Sequence, residues 1–239
     1  MRIENQPAWV LHERPYRETS LLVEAFTRDY GRVGLVARSV RSARPRIARA
    51  NLEPMVPLVL SWSGRGELAT LSAAEPVGPA LRPRGEALLG ALYLNELLVR
   101  LLPRADAHPE LFARYGVCLV ELAEGLSPAW ALRRFERDAL AELGYALELA
   151  RDAERGAPLD PAEVYSYDPE RGPVSWAARP LAPRVTGGVL LALARDDEPE
   201  AEALRAMRGT MRAILRHHLG GRELNAWRMF AGGAPRGAE

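Results

Sequence analysis

The chain contains no lysine, so all 32 basic residues among its 239 are arginine. Any ionic contact with a phosphate or carboxylate must therefore use a planar guanidinium, which stays charged and forms paired hydrogen bonds. Cys118 is the only cysteine, which excludes a disulfide framework and a zinc site of four thiolates. No apolar run reaches the roughly 20 residues of a membrane-spanning helix. Residues 1–7 lack the apolar core of a signal peptide, so we expect a cytoplasmic protein.

Common catalytic and cofactor motifs are also missing. The sequence has no P-loop, no GxGxxG after a strand, no HExxH and no GxSxG. The adjacent His217 and His218 fit the end of a helix, where the helix dipole favours positive charge, better than a metal site. The sequence therefore predicts no catalytic residue, no metal site and no cofactor. A metal-dependent nuclease or phosphoesterase on a DNA-binding barrel stays open as an alternative, although it would need clustered carboxylates.

The first eighty residues alternate short apolar segments with turns, a pattern typical of a small β-barrel. The pattern predicts five strands, at residues 7–13, 19–27, 32–40, 55–62 and 67–72. In the second strand Leu21, Val23 and Ala25 share the apolar face. Gly34 is expected to form a bulge or bend in the third strand, and Pro57 to mark an edge or bulge in the fourth. Five short strands with a longer connection after the third match a five-stranded Greek-key barrel.

Positive charge is concentrated in this part of the chain. Residues 1–50 hold ten arginines against five acidic residues, and residues 28–49 hold seven arginines against the single acid Asp29. The connection after the third strand, residues 41–49, carries Arg41, Arg44, Arg46 and Arg49. Such a block beside a barrel that commonly binds oligonucleotides indicates a site for a polyanion. The alternative is a solvated loop on a protein-interaction scaffold.

Four aromatic residues of the barrel region are candidates for stacking with bases, a contact worth about 1–3 kcal/mol per base. They are Trp9, Tyr16, Phe26 and Trp62. Core packing is the preferred interpretation for Trp9 and Phe26. Tyr16 is expected to be the most exposed of the four, because Pro15 and Arg17 flank it.

Beyond residue 80 the apolar residues follow the 3.6-residue period of helices. Together with the barrel they predict an α+β fold with an N-terminal barrel domain, a mostly α-helical domain and a disordered tail, spanning residues 1–80, 81–230 and 231–239. The helices are expected at 85–102, 109–124, 128–143, 188–195 and 199–218. Residues 145–185 are rich in turn signals and predict an irregular insert with short hairpins.

The helix predicted at 128–143 carries a second feature. Arg133 and Arg137 lie four residues apart, off the apolar stripe, with Trp130 one turn before Arg133. A basic pair beside an aromatic ring could bind an acidic peptide with an aromatic residue, the guanidinium taking a carboxylate. The alternative is that these charges only solvate the helix.

Several segments, taken in order, resemble the RecO family of DNA repair and recombination mediators. In the barrel region they are 14–20 (RPYRETS), 31–33 (GRV) and 64–67 (GRGE). In the helical region they are 93–98 (YLNELL), 132–136 (LRRFE) and 143–145 (LGY). The resemblance extends over about residues 7–230.

This resemblance implies an N-terminal OB-fold, a helical domain and a nucleoid-associated location. RecO proteins bind single- and double-stranded DNA and anneal complementary strands. With RecR they help to load the RecA recombinase onto DNA coated by single-strand-binding protein (SSB), whose acidic, Phe-ended tail they bind. The expected DNA-binding residues are Arg14, Tyr16, Arg17, Arg38, Arg41, Arg44, Arg46 and Arg49. The expected tail-binding residues are Trp130, Arg133 and Arg137, with Arg133 matching the family's tail-binding arginine.

Two segments depart from the family pattern. Some RecO proteins hold a four-cysteine zinc module after the LGY segment, whereas residues 146–185 contain no cysteine, so the chain resembles the zinc-free branch. Near the C-terminus, Asn225 and Trp227 stand where the family commonly has basic residues. The resemblance therefore assigns no contact to residues 222–230.

Overall fold

A computed structural model describes residues 2–64 and 66–232 of the chain, with side chains up to Met229. It confirms the mixed α+β fold, in which a barrel is followed by a mostly helical region. The barrel strands are β1 (Arg2–Tyr16), β2 (Ser20–Thr27), β3 (Gly31–Ala37), β4 (Leu58–Ser63) and β5 (Leu68–Pro76). None of the helices among the described residues is both long and apolar enough to cross a membrane.

The five strands close into a barrel of order β1-β2-β3-β5-β4. β1 pairs with both β2 and β4 in antiparallel fashion, and the parallel pairing of β3 with β5 completes the circuit. Leu21, Val23 and Ala25 are buried in the barrel core, as their alternation predicts. The expectation of an OB-like barrel is confirmed.

For Gly34, the bulge that was one of the two expected features is absent, and the expectation that Pro57 lies within the fourth strand is wrong. Gly34 forms no bulge, since β2 and β3 pair without interruption from Leu21–Ala37 to Thr27–Gly31. Glycine is required there by close approach, because a Cβ atom would lie 2.8 Å from the carbonyl oxygen of Glu67. Pro57 precedes β4 rather than lying within it, which leaves the strand a complete set of backbone donors.

Six helices lie among the described residues. They are α1 (Glu86–Leu101), α2 (Pro109–Glu124), α3 (Pro128–Glu142), α4 (Gly187–Arg195), α5 (Ala201–His218) and α6 (Asn225–Gly232). The Ser127 hydroxyl accepts a hydrogen bond from the Trp130 amide (3.4 Å) at the start of α3, and Pro128 fills the first turn. Helix α6 was not predicted. Of the predicted tail, residues 231–239, the first two belong to α6, and residues 233–239 lie outside the described part of the chain.

By compactness the described chain forms two units. The first runs from the N-terminus to Gly125 and resumes at Leu224, and the second is Leu126–Glu223. The barrel therefore shares a unit with α1, α2 and α6. Aromatic side chains on the outside of the barrel, Trp9 and Phe26, pack against Tyr115 and Phe112 of α2. The division of the chain at residue 80 stays a prediction.

The second unit contains α3, α4, α5 and the turn-rich insert. Within the insert a three-stranded sheet of order β7-β6-β8 is built from Val164–Asp168 (β6), Gly172–Ser175 (β7) and Val185–Thr186 (β8). β6 and β7 form an antiparallel hairpin, as the turn signals around Asp168 and Gly172 indicate.

Candidate nucleic-acid interface

The arginine-rich chain between β3 and β4, residues 38–57, is called here the basic connection. Val40, Ile47 and Leu52 insert their side chains into the barrel core and are buried. Burial of such a side chain contributes about 1.5–3 kcal/mol, so the three anchors hold this irregular segment against the barrel. The residues between the anchors project outward, and Arg41, Arg44 and Arg46 are exposed.

The basic connection begins beside the turn that joins β1 to β2. The amide of Arg41 donates a hydrogen bond to the carbonyl of Thr19 (2.9 Å). Arg17 lies in that turn, and Arg14 lies near the end of β1, where it pairs with Leu22. The fold thus brings Arg14 and Arg17 close to the start of the basic connection, at one end of the barrel.

Six arginines of this region have no carboxylate partner among the residues that the structure describes. Within the described residues no carboxylate oxygen lies within 4 Å of a guanidinium nitrogen of Arg14, Arg17, Arg38, Arg41, Arg44 or Arg46. All six are exposed. Guanidinium groups that are solvated and unneutralised can exchange water for phosphate oxygens without breaking an ion pair.

Other arginines counted in the basic block are already engaged. Arg28 donates two hydrogen bonds to Asp29 (2.8 and 2.9 Å), and these bonds lower the pKa of the Asp29 carboxyl. Arg32 donates to Glu24 (3.0 Å) and to the carbonyl of Leu102 (2.9 Å). The sequence shows the number of charges, but only the fold shows which of them are neutralised.

Arg49 differs from the other residues predicted to bind DNA. It lies at the start of a single 3-10 turn, Arg49–Leu52, and donates to Oε1 of Glu13 on β1 (3.0 Å). Its side chain is 61% exposed, while that of Glu13 is 21% exposed. Arg49 is therefore at the predicted surface but is already held by a carboxylate.

Of the four candidate stacking aromatics, Tyr16 remains accessible. Trp9, Phe26 and Trp62 are buried, which confirms core packing for the first two and excludes free stacking for the third. Tyr16 is half-buried, and the Arg17 guanidinium lies 5.2 Å from the centre of its ring. The interface is thus mainly cationic, with one aromatic ring at its edge.

The outer face of β2 and β3, which OB-folds commonly use for binding, is covered by the chain's own residues. Phe26 packs edge-to-face against Phe112 (ring centres 5.5 Å apart) and also contacts Tyr115 of α2. Glu24 is bound by both Arg32 and Arg104. The parts of this face that carry Phe26 and Glu24 are therefore not free to bind a polyanion.

The predicted peptide-binding residues of α3 are placed differently from expectation. Arg133 and Trp130 are buried, and the Arg133 side chain is only 7% exposed and ion-paired with Glu136, which is 1% exposed. The expectation that Arg133 lies off the buried stripe of α3 is wrong. The apolar stripe is wider than the sequence suggested, and Glu136 neutralises the buried guanidinium.

Arg137 serves as a cap for a neighbouring helix. Its guanidinium donates to the carbonyl of Leu193 (2.6 Å) and to the carboxylate of Asp196 (2.7 Å), where α4 ends. It also donates to Asp138 (2.8 Å). Cationic groups at a helix C-terminus are favoured by the helix dipole and by free carbonyls. Arg133 and Arg137 therefore present no solvated basic pair in this structure.

The YLNELL segment of α1 has structural roles that the sequence analysis did not assign. Asn95 is buried and accepts a hydrogen bond from the Tyr115 hydroxyl of α2. The Glu96 carboxylate accepts hydrogen bonds from the amides of Asn225 and Ala226, both at 2.9 Å, and so caps the start of α6. A polar Asn-Glu pair in an otherwise apolar helix was the available signal.

Among the residues that the structure describes, no group of three or more His, Cys, Asp or Glu side chains could hold a metal ion. The residues gathered at the end of the barrel are cationic. Their chemistry suits the binding of phosphate groups by charge and hydrogen bonds.

The barrel with its arginine-bearing end and the helical region that follows define an OB-like protein of the α+β class. The family model described as Recombination protein O N terminal matches residues 1–80, and the one described as Recombination protein O C terminal matches residues 82–228. The chain belongs to the RecO family.

Curated relatives agree with this membership over the whole chain. The DNA repair protein RecO of Xanthomonas oryzae pv. oryzae (strain PXO99A) is 47% identical over 234 residues, which cover 96% of this chain and 97% of the relative. That of Stenotrophomonas maltophilia (strain K279a) is 47% identical over 243 residues, covering 99% and 100%. The chain has a role in DNA repair and recombination.

Proposed function

We propose that this chain is a non-catalytic mediator that binds single- and double-stranded DNA, anneals complementary strands and helps to load recombinase onto SSB-coated DNA. The observation that carries the proposal is the set of six exposed arginines, none with a carboxylate within 4 Å in the described chain, at one end of an OB-like barrel. These are Arg14, Arg17, Arg38, Arg41, Arg44 and Arg46. Arg49 and Tyr16 lie beside them.

Binding would draw on the sugar–phosphate backbone. Each guanidinium that takes a phosphate releases condensed counterions, so affinity falls as salt rises. Backbone contacts carry no base information, so the proposal includes little sequence preference. Two strands whose charges are neutralised, and whose bases stay free, repel each other less. This is the physical basis for the proposed annealing.

The proposed partners come from family membership. They are RecR, the RecA-loading pathway and the acidic, Phe-ended tail of SSB, and a cytoplasmic, nucleoid-associated location is part of the same proposal. For the tail, Trp130, Arg133 and Arg137 on α3 remain the proposed contacts. Because Arg133 is held by Glu136, an incoming carboxylate would have to compete for this guanidinium. No cofactor or metal is proposed.

Titration of a labelled single strand with the protein at low and moderate salt tests the proposal. We expect tight binding in low salt, weakening steeply as salt rises, and the same oligonucleotide should stay intact in the presence of Mg²⁺ or Mn²⁺. Absence of binding in low salt would support a protein-interaction scaffold instead. Metal-dependent cleavage would support a nuclease.

A further inference from the structure

Glu13 occupies an unusual position for a carboxylate in β1. The pairing of β1 with β2 shifts register between Val10 and His12, so Glu13 pairs with Val23. Residues paired directly across an antiparallel ladder share one face of the sheet. Val23 belongs to the barrel core, so the bulge turns Glu13 toward the inner side of the barrel wall.

At this position Glu13 meets only part of its hydrogen-bonding capacity. Its Oε1 accepts from Arg49 at 3.0 Å. Its Oε2 is shielded from solvent and accepts no hydrogen bond from any described residue. If Arg49 moved away, the Glu13 carboxylate would be a shielded charge without a cationic partner, and this would raise the free energy of the folded protein. Arg49 is therefore less free to bind an external anion than the six unpaired arginines.

The basic connection does not depend on this ion pair for its position. Val40, Ile47 and Leu52 are buried in the core, and the Asn51 side-chain amide donates to the carbonyl of Ala74 (2.9 Å). Breaking the contact between Glu13 and Arg49 should thus leave the connection in place. The main effect of the ion pair is therefore to hold the Arg49 guanidinium against Glu13.

We infer that Glu13 competes with phosphate for Arg49, keeps this arginine out of the DNA-contacting set and so limits the affinity of the barrel end for nucleic acid. The inference rests on the proposed DNA binding. Under this inference the predicted site contains six arginines that bind phosphate directly and a seventh, Arg49, that stays paired with the Glu13 carboxylate.

The test is a double-mutant cycle on the full-length protein, with labelled oligothymidine and fluorescence anisotropy. Glu13→Gln should bind more tightly than the wild type and gain one phosphate contact. One added contact steepens the dependence of log affinity on log salt by about 0.7 for single strands. The advantage over wild type should then shrink by about 2.6-fold between roughly 50 and 200 mM salt, which is four to the power 0.7.

The background variant separates competition for Arg49 from a general loss of negative charge. In Arg49→Ala, the further change Glu13→Gln should leave the salt dependence unchanged. Glu18→Gln is the matched control, since Glu18 is exposed in the neighbouring turn and its carboxylate has no guanidinium nitrogen within 4 Å among the described residues. This control removes the same charge and should not alter the salt dependence. Thermal unfolding of each variant checks that the fold is retained.

Two results would overturn the inference while leaving DNA binding in place. One is an identical salt dependence for wild type and Glu13→Gln. The other is the same steepening with and without Arg49, which would mean that Glu13 acts by repulsion through space. A wild-type protein that ignores oligothymidine even at about 50 mM salt would instead refute the proposed function, and the inference with it.

Discussion

Replacing Arg41, Arg44 and Arg46 together by alanine is the most direct perturbation of the candidate interface. All three side chains are exposed and contact no carboxylate in the described chain, so their removal breaks no ion pair. The buried anchors Val40 and Ile47 are left intact. The variant should therefore fold normally and bind single-stranded DNA more weakly and with less dependence on salt.

The size of the effect follows from the number of available guanidinium groups. If all six unpaired arginines take a phosphate, the slope of log affinity against log salt is about −4.2, at about −0.7 per contact on single strands. Raising salt from about 50 to 200 mM then weakens binding by roughly 340-fold. With three contacts removed the slope becomes about −2.1, and the same change in salt costs roughly 18-fold.

Anisotropy titrations of labelled oligothymidine at several salt concentrations give both slopes. A charge-matched control replaces Arg171, Arg195 and Arg205, three exposed arginines of the second unit, by alanine. This control changes net charge equally and should keep the wild-type slope. The assignment of the interface is refuted if the barrel variant retains that slope, or if both triple variants lower it by the same amount.

The remaining predictions concern three residues of the helices, Arg133, Glu96 and His218. Arg133→Ala should lower the free energy of unfolding by up to about 3–5 kcal/mol, measured in urea, because it removes a buried cationic partner of the buried Glu136 carboxylate. Binding of an acidic, Phe-ended peptide to that variant, measured well below its unfolding midpoint, should weaken by about 1.5–3 kcal/mol. Glu96→Ala should cost about 0.5–2 kcal/mol and speed hydrogen exchange in α6, since it removes the cap of that helix. Burial and the adjacent histidine lower the pKa of His218 in the folded protein. The stability that neutral His218 contributes is therefore complete above about pH 6.5 and is lost as the pH falls through the lower folded-state pKa. The free energy of unfolding in urea, compared between about pH 7 and pH 5, should depend less on pH in His218→Phe than in the wild type.

Local patterns in the sequence were sufficient for most of the fold. Strand alternation placed Leu21, Val23 and Ala25 in the core, and Ser127 with Pro128 marked the start of α3. These features depend on neighbours within a few residues, which periodicity and capping describe directly. Helix α6 was missed because its start is capped by Glu96, a residue distant in sequence, and its own first turn contains no acidic residue.

The sequence predicts where positive charge is concentrated, but not which of these charges are neutralised by a carboxylate. Composition and the long connection after the third strand indicate a cationic surface, and the structure brings the expected arginines to one end of the barrel. Whether each arginine is neutralised depends on ion pairs with carboxylates that are distant in sequence. Arg49 meets Glu13 across 36 residues, and Arg137 meets Asp196 across 59. Contacts at such separation leave no periodic signal in a single sequence.

The closed outer face of the barrel bears on how annealing would work under the proposed function. An OB-fold that stacks bases on its sheet occupies base faces, and these faces must stack on neighbouring bases when a duplex forms. Here Phe26 on that sheet is packed against Phe112, and Tyr16 is the accessible ring among the four candidates. A strand held through phosphates at the end of the barrel would keep its base edges exposed. A mainly cationic interface with little stacking is therefore better suited to a protein that brings two strands together than to one that protects a single strand.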